Sequence, residues 1–216
     1  MNVLIVDDEP LARDRLQRMV ASLPDFNVVA MAETGQQAIQ QARDTNPDVV
    51  LMDAKMPGIG GLEATRKLLR NNADVRVIAV TACGEEPFPS RFLQAGASGY
   101  LTKGAAMDEM VKAIRLVHSG QRYISPDVAQ ELALKPFRQD SASPFDQLSE
   151  REMQIAMMIV NCQKVQEISE MLFLSPKTVN SYRYRLFEKL GINSDVELTL
   201  LAVRHGMLDV ESLPNN

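Results

Sequence analysis

The chain has 216 residues, 45% of them hydrophobic and 24% charged, with a net charge of −5. That is room for two small domains, or one large one, of a soluble globular protein. It excludes a chain basic enough overall to hold nucleic acid by charge alone, so any such role must rest on local placement.

The opening, "MNVLIVDDEP", has no basic stretch before its apolar run and two aspartates after it, unlike a secretory signal. No later apolar run approaches a membrane span, so no membrane partner is expected. Short apolar runs rich in Val and Ile follow at 2–6, 27–32, 48–52, 75–80 and 98–102, as two-sided buried strands require. Amphipathic stretches lie between and after them at about 9–22, 34–46, 60–71, 86–95 and 106–119. Five strands alternating with five helices predict a flavodoxin-like, doubly wound five-stranded parallel sheet over 1–120, of order 2-1-3-4-5. The two cysteines, Cys83 and Cys162, are far apart and outside any ligand spacing, as reduced thiols of a cytoplasmic protein. His118 and His205 read as ordinary helix residues.

Residues 121–147 form the expected linker. "SPDVAQELAL" predicts a short helix with Ser125 as cap and Pro126 at its first position. The polar, proline-containing "KPFRQDSASPFDQ" lacks periodicity. From 148 to 216 the pattern is helical. "SERE" is a capping box of Ser149 and Glu152, a second helix covers about 165–172, "SPKT" starts a third, and a fourth begins near Ser194. Four short helices make a separate all-α domain.

In a sheet of the predicted order, ligands bind at the carboxyl ends of the strands. Asp7 and Asp8 end the first strand, Asp53 the third, Thr81 the fourth and Lys103 the fifth. Three carboxylates at one edge repel and call for a cation, and hard Mg²⁺ suits them. A metal-bound carboxylate can attack phosphorus to give an acyl phosphate, with Thr81 and Lys103 holding the phosphoryl oxygens. Gly58, Gly60 and Gly61 relieve steric limits on the loop that follows Asp53.

"VDD" at 6–8, "MDAKMPGIGG" at 52–61, "VTA" at 80–82 and "GYLTKG" at 99–104 resemble a response-regulator receiver domain. The resemblance implies that Asp53 is the phosphoacceptor. It implies that Asp8, Asp53 and the backbone carbonyl of Lys55 bind Mg²⁺, with Asp7 acting nearby or through water. Thr81 and Tyr100 match the switch pair of that family. Gly104 stands where many receivers carry proline, and the first helix, "EPLARDRLQRM", departs from the usual pattern on a face that commonly meets the kinase.

"LSEREMQIAMMIVNCQKVQEISEMLFLSPKTVNSYRYRLFEKLGI" at 148–192 resembles the LuxR/FixJ (NarL-type) helix-turn-helix. Val179, Tyr182, Leu186 and Leu190 recur at helical spacing and are expected to pack inward. The second helix of such a motif enters the major groove. By analogy Asn180, Ser181 and Tyr184 face base edges, while Lys177, Thr178, Tyr182, Arg183, Arg185 and Lys189 are phosphate contacts. Phe173 stands in the turn where glycine is common. A left-handed backbone there would cost about 1–2 kcal/mol, so a differently shaped turn is expected. Tyr182 replaces a common histidine.

Within this class the chain looks most like the GacA/UvrY global regulators. The resemblance implies a membrane sensor histidine kinase or its phosphotransfer domain as donor, double-stranded DNA and RNA polymerase as partners, activation of small regulatory RNA genes, and a homodimer when phosphorylated. The apolar stripe of "DVELTLLAVRHGML" suits such a dimer, and equally suits packing on its own domain. The alternative is a Mg²⁺-dependent phosphohydrolase with an aspartyl-phosphate intermediate. Haloacid-dehalogenase-like enzymes, however, carry nucleophile and acid together after the first strand. Here the nucleophile stands alone after the third, so no enzyme is expected. The tail lacks the aromatic-glycine signatures of common RNA modules.

Overall fold

The computed structural model describes residues 1–56, 58–81, 88–134, 143–205 and 207–208. Pro57, Ala82, Cys83, the start of the predicted fourth helix, linker residues 135–142, Gly206 and the last eight residues lie outside the described residues. The chain divides into two compact units, Met1–Arg138 and Gln139–Asn216.

The first unit alternates strand and helix: β1 (Asn2–Val6), α1 (Pro10–Ala21), β2 (Asn27–Ala32), α2 (Gly35–Thr45), β3 (Val49–Met52), α3 (Gly60–Asn71), β4 (Arg76–Thr81), α4 (Phe88–Gln94), β5 (Gly99–Thr102) and α5 (Met107–His118). All strand pairs are parallel, with Val3 opposite Val49 and Val50 opposite Val77. Alternate side chains leave opposite faces of a strand. Val3, Ile5, Val49, Leu51, Ile78, Val80 and Leu101 therefore pack with Leu16 and Val20 of α1 and Ala113, Ile114 and Val117 of α5. Leu4, Val6, Val50 and Met52 take the other face, where Ala38, Ala64, Leu68 and Phe92 are also buried. Burial on both faces is why these strands read as unbroken apolar runs.

The sheet has a sixth strand that the sequence pattern does not announce. Residues Tyr123–Ile124 form β6 and extend the order to β2-β1-β3-β4-β5-β6. Tyr123 N–H donates to Ser98 O at 3.1 Å, and Ser125 N–H to Tyr100 O at 3.0 Å. Two residues are too few to show a period of two. The expected helix follows as α6 (Pro126–Leu134), and both elements belong to the first unit rather than to a linker. Ser125 caps α6 only through its carbonyl, which accepts from Ala129 N–H at 2.9 Å. Its hydroxyl is buried and finds no hydrogen-bond partner among the described residues.

The second unit opens with a short 3-10 turn at Pro144–Gln147. It continues as α7 (Glu150–Val160), α8 (Val165–Leu172), α9 (Pro176–Leu190) and α10 (Asp195–Arg204). The capping box forms as expected, with Ser149 Oγ accepting from Glu152 N–H and the Glu152 carboxylate accepting from Ser149 N–H. Ser175 and Ser194 cap α9 and α10 through the hydroxyl alone, accepting from Thr178 N–H and Glu197 N–H. Phe145, Met153, Ile155, Ile168, Val179, Leu186, Phe187 and Leu198 are buried. Tyr182 and Leu190, expected inside, are only half-buried, and Phe187 takes the inward place instead.

Candidate functional site: an acidic sheet edge and a basic helix

The parallel sheet brings the carboxyl ends of its strands to one edge. Asp7 follows β1 and Asp53 follows β3, and both are almost fully buried. Asp8 is the exposed member, and one carboxylate oxygen from each of the three lies within 4.8 Å of the others. Lys103, just past β5, reaches Asp7 Oδ2 at 2.7 Å and Asp53 Oδ2 at 3.0 Å. Lys55 N–H donates to Asp53 Oδ1 at 3.2 Å, and Glu9 N–H to Asp7 Oδ1 at 3.0 Å. Asp53 N–H continues the ladder to Val6 O at 2.8 Å, which locks the carboxylate to the strand end.

Thr81 ends β4 and is fully buried, and its carbonyl accepts from Lys103 N–H at 2.7 Å. Tyr100 is fully buried and meets Phe92 edge to face, with ring centroids 6.1 Å apart. In the loop after Asp53, Gly58 and Gly60 take φ of 80° and 71°, values that side chains disfavour. Gly61 serves differently: a Cβ there would stand 1.8 Å from the Asp53 carbonyl oxygen.

Burial pushes the Asp53 carboxyl up to about 7. Lys103 opposes that rise and Asp7 adds to it. Burial pulls the Lys103 ammonium down, but Asp53 and Asp7 outweigh it, so the group is held above its ordinary value. Partial burial, then Asp7, raises Asp8. Three carboxylates facing one ammonium leave surplus negative charge and free oxygen donors, which fits a hard divalent cation.

The sign of the pH effect follows. Between its ordinary value of 3.8 and about 7, folded Asp53 holds a proton that the unfolded chain has lost. Its contribution to stability is present at low pH and disappears as pH rises through that window. Without divalent cation, Asp53→Asn should therefore raise the unfolding midpoint of the first unit. The advantage should grow from about pH 4 to about pH 7 and then level off. A scan showing a pH-independent difference would contradict this.

On the second unit, α9 presents Lys177, Ser181, Tyr184 and Arg185 to solvent, with Tyr184 68% exposed. Thr178 and Asn180 are half-buried beside them, and the Thr178 hydroxyl lies 2.8 Å from Ser175 Oγ. The Arg185 guanidinium lies 5.8 Å from the centre of the Tyr182 ring.

Two residues expected at phosphates are engaged elsewhere. Arg183 makes a two-point bond to Asp195 of α10, Nε to Oδ1 at 2.8 Å and Nη2 to Oδ2 at 2.6 Å, and lies over the Phe187 ring. Lys189 reaches the buried Glu152 at 2.6 Å. Burial alone would raise the Glu152 carboxyl, yet the bonds from Lys189 and Ser149 hold it below its ordinary value. Helical periodicity shows neither pairing, because Asp195 and Glu152 come from other helices.

The turn before α9 is not reshaped. Phe173 adopts φ 54°, ψ 44° at the end of α8, and the residue is 92% exposed. The closure explains why: Leu174 N–H donates to Ser169 O at 2.9 Å, a helix-ending bond that needs a left-handed residue at 173.

The first unit matches the family described as response regulator receiver domain over residues 3–115. The second matches the bacterial regulatory proteins of the luxR family over 146–202. The chain therefore belongs to the response regulators of two-component systems, with a receiver joined to a LuxR-type DNA-binding domain that regulates transcription. In particular it is GacA/UvrY-like. It is 66% identical over 209 residues to the response regulator GacA of Pseudomonas protegens, covering 97% of this chain and 98% of that protein. It is 55% identical over 214 residues to the response regulator UvrY of Escherichia coli K12, covering 99% and 98%. The solved response regulator RcsB of Salmonella typhimurium has the same fold, with a TM-score of 0.76, 23% identity and coverage of 94% of this chain and 97% of that one. Among the described residues no helix is long and apolar enough to cross a membrane.

Proposed function

We propose that Asp53 accepts a phosphoryl group from a sensor histidine kinase or its phosphotransfer domain, and that this switches promoter binding by α9. The observation that supports this best is the isolated Asp53, alone at the end of β3 and flanked by Asp7 and Lys103. A carboxylate oxygen of Asp53 attacks phosphorus and the bond to the donor breaks. Lys103 stays within reach of the incoming phosphoryl oxygens, and Thr81 stands at the neighbouring strand end. Asp8, Asp53 and the Lys55 carbonyl would hold Mg²⁺, with Asp7 one step away. The ion supplies charge neutralisation when bound. Thr81 and Tyr100 then carry the change along β4 and β5 as a two-state shift. The phosphoryl group is held on Asp53 as a signal and is not passed on to a substrate, so the chain acts as a switch and not as an enzyme. It works in the cytoplasm. The exposed side chains of Val196 and Leu200 on α10, 69% and 54% accessible, suit a phosphorylated homodimer.

On DNA, Asn180, Ser181 and Tyr184 face bases, while Lys177, Thr178, Tyr182 and Arg185 face phosphates. Small regulatory RNA genes are the proposed targets, with RNA polymerase as the downstream partner. The test is occupancy of the genome by the full chain with and without phosphodonor, followed by duplex titrations across a salt series. Arg185→Ala should weaken all sequences alike and lower the salt slope by about one unit. Asn180→Ala should cost about 1–3 kcal/mol on the preferred site alone. Arg183→Ala and Lys189→Ala should leave the slope unchanged and destabilise the second unit. Turnover of a free phosphomonoester, or occupancy indifferent to phosphodonor, would refute the proposal.

A further inference from the structure

Phe173 is an anomaly that the proposed function does not absorb. A single exposed apolar side chain ordinarily means nothing. This one is 92% exposed and also sits on a left-handed backbone that phenylalanine disfavours. The bond that ends α8 fixes the left-handed backbone at 173 but does not ask for phenylalanine there, and no burial of the side chain offsets the strain. The position is two residues before Ser175, the N-cap of α9, at the helix end that leads into the groove. From Met171 to Phe187 the chain carries no acidic residue, which suits a phosphate-lined partner. A protein partner would need a broader apolar patch, whereas the ring is followed by the half-buried Leu174 and the polar Ser175.

We propose that Phe173 is a duplex-contact residue, its ring seated on the deoxyribose and thymine-methyl surface at the flank of the site that α9 reads. Apolar contact with the thymine methyl is a known form of base readout, and phenylalanine serves it. The assignment rests on reading α9 as the recognition helix. It has an unusual signature, because the same substitution should push folding and binding in opposite directions. Phe173→Gly removes both the strain and the ring. Phe173→Asn keeps a residue that tolerates the left-handed turn and removes only the ring.

The experiment uses the full chain, phosphorylated, on duplexes with the preferred and a scrambled site. Both variants should keep or raise the unfolding midpoint. Both should lose about five- to thirty-fold in affinity for the preferred site, with the salt slope unchanged because no charge is removed. Unchanged affinity in both variants, while Arg185→Ala still weakens binding, overturns the role of Phe173 alone. If Arg185→Ala and Asn180→Ala are silent as well, the reading of α9 fails and takes this assignment with it.

Discussion

An Asp53→Asn chain given Mg²⁺ and a small phosphodonor is expected to end unlabelled, where the parent takes up one acid-stable, base-labile phosphoryl group. The amide keeps the shape of the side chain and its place 3.0 Å from Lys103, but it is a poor nucleophile and cannot form an acyl phosphate. The loss should be complete to background rather than partial, because Asp7 is held by Lys103 and Glu9 N–H, and Asp8, at the same edge, is exposed to solvent. A chelator should imitate the substitution in the parent chain. Label that survives in the variant, or that maps to serine or threonine in the parent, would remove Asp53 from the role.

Gly61→Ala should be the most damaging conservative change in the first unit. Its Cβ would meet the Asp53 carbonyl oxygen at 1.8 Å and the Ala54 Cα at 3.1 Å, both of them backbone or tied to it. The start of α3 must then move, and the loop after Asp53 moves with it. A loss on the order of 4 kcal/mol is expected, at the upper end for single substitutions. Gly60→Ala is the control. That glycine has a φ of 71° but nothing within 4 Å of a Cβ, so only the left-handed strain applies, about 1 kcal/mol. Urea unfolding of the two variants distinguishes them. Equal losses would mean that the close approach to Asp53 relaxes cheaply.

Those two glycines also mark where the sequence stops being readable. "GIGG" announces a loop that needs small residues, but not which glycine serves conformation and which serves contact. The acidic edge was legible because buried parallel strands are apolar throughout, so a carboxylate at the end of β1 or β3 stands out and the parallel topology places the ends together. The caps of α7, α9 and α10 were legible because each is a local exchange within four residues. Arg183 and Lys189 were not. Their charge and helix position fit a phosphate as well as an internal carboxylate, and Asp195 and Glu152 become their partners only once three helices pack. Phe173 was misjudged for a related reason. The residue preference of one position yielded to the hydrogen bond that ends α8, which the whole turn requires.

The two-residue strand β6 has a practical consequence for anyone dividing this chain. A fragment stopped at Gly120, where sequence periodicity suggests the receiver ends, would strip the outer ladder from β5. It would leave the Ser98 and Tyr100 carbonyls without the N–H groups of Tyr123 and Ser125. Open edges of this kind recruit other strands. Copies of the fragment could pair there and imitate the phosphorylation-induced dimer proposed above, which would use α10 and not this edge. The natural place to cut lies beyond Leu134, after α6, which packs against α4.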